Sequence, residues 1–231
     1  LFGFIFFNSY QADTFSPALL SHLDLFTHLI SLLIISEISS IQTLVGALKT
    51  ARDMTRHRDN ETGSHLDRMA YYSRLIAGQL ADSHNLSDEV IEHIFLFAPL
   101  HDIGKVAIPD KVLLKPGKLT DDERSLMQRH AAKGREIIDD MLENFGLSSF
   151  QHVDMLANIA QYHHEALDGS GYPEGLHGEQ IPLEARIIAV ADVFDALTSR
   201  RPYKEAWSND EAFATLQKIA GSLLDGECVQ A

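Results

Sequence analysis

Near the middle of the chain the apolar residues Val90, Ile91, Ile94, Phe95, Phe97 and Leu100 run straight into His101-Asp102-Ile103-Gly104-Lys105. Their spacing predicts a helix with one face turned inward, so an imidazole and a carboxylate arrive side by side at its buried end. A buried carboxylate without a partner is costly, and two arrangements relieve that cost. In one, His101 caps the helix C-terminus and Asp102 pairs with Lys105. In the other a divalent cation binds the pair and, as the largest local charge, inverts the usual pKa logic. The rest of the chain decides between them.

Further metal-type donors occur at telling positions. Glu61 and His65 lie four apart, on one helical face if the helix runs unbroken through Gly63. His130 falls on the helix opened by Thr120-Asp121-Asp122-Glu123, a capping box. Val153 to Tyr162 is helical by period and ends on His163-His164-Glu165, and Asp192 and Asp195 sit in the helix Leu183 to Ser199, among Ile187, Ile188, Val190 and Leu197. An aspartate in so apolar a helix needs a partner. Glu61, His65, His101, Asp102, His130, His163, His164 and Asp192 are an oxygen and imidazole set without thiolate, which suits iron, manganese or zinc and disfavours soft sites. They are more donors than one ion takes; two or three ions sharing a bridging carboxylate would use them, an arrangement suited to in-line attack on a phosphodiester. His22, His28, His57, His84, His93, His152 and His177 lie outside any motif and read as surface or packing residues.

Composition narrows the substrate. Across 231 residues, 19 Lys and Arg against 33 Asp and Glu give a formal charge of −14. That argues against binding long nucleic acids through their phosphates and leaves room for a small anion at a locally positive, metal-bearing pocket. Cys228 is the single cysteine, so an internal disulfide and a cysteine-rich zinc site are excluded, consistent with a reducing cytoplasm. The run Leu29 to Ile35 is short and interrupted by Ser31, and no membrane span of roughly 18 to 20 apolar residues is expected. The chain opens on Leu1 rather than Met and closes on Ala231, as a fragment of a longer protein would.

Along the chain, Phe2 to Phe7 predicts a strand, and Ser16-Pro17 opens a helix with Leu19, Leu20, Leu23, Phe26, Leu29, Ile30 and Leu33 on its apolar face. Ser36 to about Ala81 continues as a helical pattern whose stripe Ile38, Ile41, Leu44, Val45 and Leu48 could pair with its twin in a parallel homodimer. Ser87 caps the helix that delivers His101. Gly134 is expected to break or bend the helix carrying His130. Asp168-Gly169-Ser170-Gly171-Tyr172-Pro173 is a loop, Pro182 opens the next helix, and Ser208 to Glu211 is a second capping box whose helix ends near Gly221. After residue 35 every element is a helix.

In this order, His101-Asp102 with Lys105, His163-His164-Glu165, Gly171-Tyr172-Pro173 and Ala191-Asp192-Val193-Phe194-Asp195 resemble the HD-GYP family of metal-dependent phosphohydrolases. The resemblance implies an all-α bundle of about seven helices over residues 61–231, after a connector helix at 36–60. Residues 1–35 resemble the last strand and helix of a GAF-type sensory domain; a helical extension of the catalytic domain is the other reading. Carried over residue by residue, His65, His101, Asp102 and Asp192 hold one metal. Asp102, His130, His163 and His164 hold a second, and Glu61 matches the carboxylate of a subgroup with three ions, iron or manganese. A hydroxide held between metals would attack phosphorus, Lys105 would neutralise phosphate charge in the transition state, Tyr172 and Pro173 would line a guanine pocket, Arg201 and Lys204 would grip the second phosphate, and Asp195 would join substrate binding. The implied activity is hydrolysis of cyclic di-GMP to linear pGpG and on to GMP in the cytoplasm, with diguanylate cyclase (GGDEF) domains as partners. The alternatives are another cyclic dinucleotide such as cyclic GMP-AMP, or a silent module that binds cyclic di-GMP or GGDEF domains. At the C-terminal end Gly221-Ser222-Leu223-Leu224-Asp225-Gly226 lacks the Phe and Pro that members carry there.

Overall fold

A computed structural model describes residues 4–58, 63–147, 152–200 and 205–231. The chain divides into two compact units, Leu1–Gly46 and Ala47–Ala231.

In the first unit, residues 4–9 have no regular secondary structure, and Phe4 and Phe6 are exposed. The expected strand is therefore not formed over its described part; among the described residues nothing pairs with this stretch to take up its ladder hydrogen bonds. Ser16 caps the helix that follows, its Oγ accepting the Leu19 N–H at 3.3 Å. That helix, α1 (Pro17–Arg58), runs 42 residues and shows no break at the expected boundary near residue 35.

The expectation about membrane-spanning length is corrected here. Pro17–Ser36 is 20 residues with mean hydropathy 1.8 and none of it buried, long and apolar enough by length and composition to cross a membrane. Counting only unbroken apolar residues missed it, because the intervening hydroxyls are satisfied inside the helix: Ser21, Thr27 and Ser31 donate to the carbonyls of Pro17, Leu23 and Thr27.

In the second unit every regular element among the described residues is a helix. Helix α1 is described to Arg58 and α2 spans Gly63–Gln79, so the expected run through residues 59–62 lies outside the described residues; a turn at Leu80 then separates α2 from the short α3 (Ala81–His84). Ser87 caps α4 (Asp88–Phe97) by accepting from Val90 N. A 3-10 turn, Ala98–Leu100, with Pro99 in it, then turns the chain into His101-Asp102, and a second 3-10 turn covers Ile103–Ala107 before α5 (Asp110–Leu113). The capping box Thr120/Glu123 opens α6 (Asp121–Asn144).

Gly134 does not break α6. It is buried inside that helix, and a Cβ there would lie 3.2 Å from Ala160 Cβ and 3.5 Å from Gly104 N. Close packing explains the glycine.

Helices α7 (Val153–Tyr162), α8 (Leu183–Thr198) and α9 (Asn209–Ile219) follow, the last opened by the Ser208/Glu211 box. The C-terminal residues form α10 (Gly226–Gln230), capped by Asp225, which also pairs with Arg186 of α8. Leu224 and Cys228 are buried.

Helix α2 packs on α4 and α8, α6 on α7 and on the turn at Ile103–Ala107, and α8 on α7 and α9. Ala77, Leu80, Ile94, Ile187, Val190, Leu216 and Leu224 join in one core cluster. Among the described residues there is no strand, only the isolated bridges Asp168–His177 and Ala220–Leu224. The fold is all-α.

Candidate metal centre

The helix packing gathers donors that are far apart in sequence. His65 comes from α2, His101 and Asp102 from the turn after α4, His130 from α6, His163 and His164 from the end of α7 and Asp192 from α8. They fall into two groups, His65, His101 and Asp192 in one and Asp102, His130, His163 and His164 in the other. The ligand atoms of each group lie within 4.8 Å of one another. His101 is fully buried, and His65, Asp102, His130 and His163 are nearly so.

Each buried ring is held by its own backbone or by a carboxylate. His101 Nδ1 lies 2.8 Å from Ala98 O, His130 Nδ1 2.8 Å from Met127 O and His163 Nδ1 2.9 Å from Ile159 O. A carbonyl can only accept, so Nδ1 carries a proton and, in the neutral ring, Nε2 is left as a lone-pair donor facing inward. The Nε2 atoms of His101, His130 and His163 and the Oδ1 of Asp102 are buried without a hydrogen-bond partner. They converge nonetheless: Asp102 Oδ2 is 3.2 Å from His101 Nε2, and Asp102 Oδ1 is 3.2 Å from His130 Nε2 and 3.8 Å from His163 Nε2. Each unsatisfied buried polar atom costs about 1–3 kcal/mol. Nitrogen and oxygen lone pairs aimed at common points fit divalent cations, which would satisfy all of them.

The electrostatics agree at His163, His164 and Asp102. Burial pushes His163 well below the ordinary histidine range, helped by the neighbouring His164, and brings His164 down to about 4, so both offer neutral rings. Burial raises Asp102, but Lys105 and His101 outweigh it and hold the carboxyl well below the usual range. For His101 burial is again outweighed, here by Asp102 and Asp192, and the ring is pushed up to about 9. Lys105 Nζ stands 2.8 Å from Asp102 Oδ2 with its side chain 16% exposed.

Asp195, expected to join substrate binding, is held inside the helix packing. It is 1% exposed, and its oxygens accept from His65 Nδ1 at 2.7 Å, from Arg68 Nε at 2.5 Å and Nη2 at 3.0 Å, and from Ser199 Oγ at 3.1 Å. Its acceptor capacity is shared among His65, whose ring it orients, Arg68 and Ser199. Arg68 was missed from sequence; its signal was the i, i+3 spacing from His65, which sets both side chains on one face of α2.

Tyr172 lies at the edge of the second group, its ring centroid 4.7 Å from that of His164 and 6.2 Å from that of His130. Burial, then Asp102 and Asp192, push its hydroxyl pKa up. Pro173 follows through a cis peptide bond and is exposed. Glu61, Arg201 and Lys204 lie outside the described residues.

A buried histidine and aspartate cluster at the meeting of α2, α4, α6, α7 and α8 defines a metal-binding helical domain. The HD domain family profile matches residues 49–228, and the chain belongs to that family, in its HD-GYP branch. The cyclic di-GMP phosphodiesterase response regulator RpfG of Xanthomonas campestris is 53% identical over 175 residues, which are 76% of this chain and 43% of that protein. A cyclic di-GMP phosphodiesterase of Thermotoga maritima is 40% identical over 188 residues, 81% of this chain and 48% of that one. The 3'3'-cGAMP-specific phosphodiesterase 2 of Vibrio cholerae is 40% identical over 173 residues, 75% of this chain and 31% of that one. The chain thus spans less than half the length of each of these relatives. A solved HDG"Y"P protein of Bdellovibrio bacteriovorus shares the fold, with TM-score 0.53 and 20% identity over 78% of this chain and 54% of that one.

Proposed function

We propose that the chain is the catalytic part of a metal-dependent phosphodiesterase that hydrolyses cyclic di-GMP to linear pGpG and on to GMP. The observation that carries this reading is the pair of donor groups meeting at Asp102, with Lys105 and Tyr172 at their edge. Relatives named cyclic di-GMP phosphodiesterases support the substrate.

In this reading His65, His101 and Asp192 hold one ion, His130, His163 and His164 another, and Asp102 bridges, with Glu61 available to a third. Iron or manganese suits such donors. Divalent ions there would polarise the phosphodiester and lower the pKa of the attacking water. The protein's own part is positional and electrostatic. Backbone carbonyls and Asp195 fix the ring orientations, Lys105 offsets charge on the phosphate in the transition state, Tyr172 and Pro173 line one base, and Arg201 and Lys204 meet the second phosphate. The upstream residues 1–35 are the end of a GAF-type sensory domain or, since the strand such an end would carry is not formed over residues 4–7, a helical extension, and 36–60 are the connector, through which two copies dimerise. The enzyme works in the cytoplasm beside GGDEF-domain partners.

A second reading takes 3'3'-cGAMP as the substrate, because relatives specific for it are 40% and 42% identical to this chain. The test is anaerobic purification, metal analysis, loading with iron or manganese, and chromatography of both dinucleotides after incubation. Linear pGpG or GMP from cyclic di-GMP is the expected result. Preferential loss of 3'3'-cGAMP would establish the second reading, and metal-loaded protein that leaves both intact would overturn both in favour of a binding module.

A further inference from the structure

Beside the histidine pair stands a buried carboxylate that the metal groups do not use. Glu165 is 5% exposed, and it accepts three consecutive backbone N–H groups: Glu174 at 2.7 Å and Gly175 at 3.1 Å on Oε1, and Leu176 at 3.0 Å on Oε2. Successive amides converging in this way form a nest for an anion, and here a side chain of the same chain fills it.

The segment between is folded tightly back on its own start. Tyr172 N donates to His164 O at 3.2 Å and Gly178 N to Leu167 O at 3.0 Å. A Cβ on Gly171 would lie 2.3 Å from Ala166 N and 2.5 Å from Glu165 Cα, so only glycine lets the loop approach that backbone. Glu174 Oε1 accepts from Gln161 Nε2 at 2.8 Å, joining the far side of the loop to α7. The result is that Tyr172 stands with its ring against His164.

We propose that Glu165 is a positioning residue for substrate binding. By clamping residues 174–176 it holds Tyr172 beside the metal ligand His164, so that one wall of the substrate pocket is formed before the dinucleotide arrives. The role in substrate binding rests on the function proposed above; the clamp does not. Without it the loop samples several conformations, and binding must order it, an entropic cost that weakens affinity. A loss of that kind raises KM more than it lowers kcat.

The test uses Glu165→Gln and Glu165→Asp in the whole metal-loaded chain. Glutamine turns one oxygen into an NH2 that faces a backbone N–H; aspartate keeps both oxygens but withdraws them. Both variants are expected to keep wild-type metal content and Tm. Amide exchange at residues 174–176 should become about tenfold faster or more, and KM for cyclic di-GMP should rise about tenfold with kcat within about twofold, since one lost bond to a charged group is of that order. Unchanged exchange and unchanged KM overturn the proposal. So does a loss of metal or of cooperative unfolding in both variants, which would make Glu165 a support of the whole fold. If the wild type leaves cyclic di-GMP intact, the proposed function fails, while exchange at residues 174–176 still reads the clamp.

Discussion

Asp195 Oδ2 accepts the Nδ1–H of His65 at 2.7 Å across 130 residues of sequence, while Arg68 grips the same carboxylate from the flank. This is the carboxylate–histidine pairing that fixes a ligand's tautomer and ring orientation. Asp195→Asn keeps the shape but weakens acceptance from both partners, so affinity for the ion held by His65, His101 and Asp192 should fall about 10- to 100-fold. Competition with a chelator of known affinity checks this.

The same pair sets an acid limit. Burial raises the Asp195 carboxyl, but hydrogen bonds from His65 and Arg68 hold it well below the ordinary aspartate range. Because the folded value is the lower one, the stability it contributes is present above the ordinary aspartate range and is lost as pH falls through the folded value. Denaturant titrations from pH 5 downward should show a steeper loss for the wild type than for Asp195→Asn. Parallel curves would remove Asp195 from the acid response.

Much of this centre was legible before any coordinates. His101-Asp102 and His163-His164 are adjacent pairs, and Asp192 is an acid in an apolar helix; each is a local contradiction that only a shared partner resolves. Asp195 and Arg68 were harder to read, because their roles depend on how α2 lies on α8, a tertiary relation with no local signature beyond helical spacing. Gly134 misled for the reverse reason: a glycine in a helical pattern signals a break by propensity, and here small size at a crossing decided instead. The exposed N-terminal helix was underestimated because residues such as Ser31 look polar in sequence and are internally satisfied in a helix.

Metal binding should release protons, and the sign follows from the histidines. His101 is pushed up to about 9 when no cation is present, whereas His164 is near 4 and His163 is well below its usual range. At pH 7.5 His101 must lose a proton to become a ligand, so filling its group should release protons, with affinity rising up to about pH 9. In metal-stripped protein the raised His101 value contributes stability that is complete below the ordinary histidine value and lost as pH rises through about 9. Calorimetry in buffers of different ionisation enthalpy measures the proton count, and zero release would contradict the assignment.

In the proposed reading Asp102 is the residue that both groups share. Its Oδ2 stands 3.2 Å from His101 Nε2 and its Oδ1 3.2 Å from His130 Nε2. Asp102→Ala should therefore abolish retention of both ions after dialysis, not of one, and turnover with them. A variant that keeps one ion per chain would deny the bridging role, and normal turnover would deny its part in the chemistry.

Gly104 is where the centre's geometry meets the fold. A Cβ there would fall 1.9 Å from the carbonyl oxygen of His130 and 2.5 Å from Gly134 N, both backbone atoms that cannot rotate aside. The turn at Ile103–Ala107 and α6 must then separate, and with them Asp102 and His130, whose ligand atoms now lie 3.2 Å apart. Overpacking of this kind costs about 1–3 kcal/mol or more. Gly104→Ala should thus lower Tm and also loosen metal from the group of Asp102, His130, His163 and His164. Gly46→Ala, at a position with nothing within 4 Å of the added carbon, is the control: it should leave metal content unchanged. If Gly104→Ala lowers Tm yet binds metal as the wild type does, the turn and α6 part without disturbing the ligands, and the coupling between packing and site is refuted.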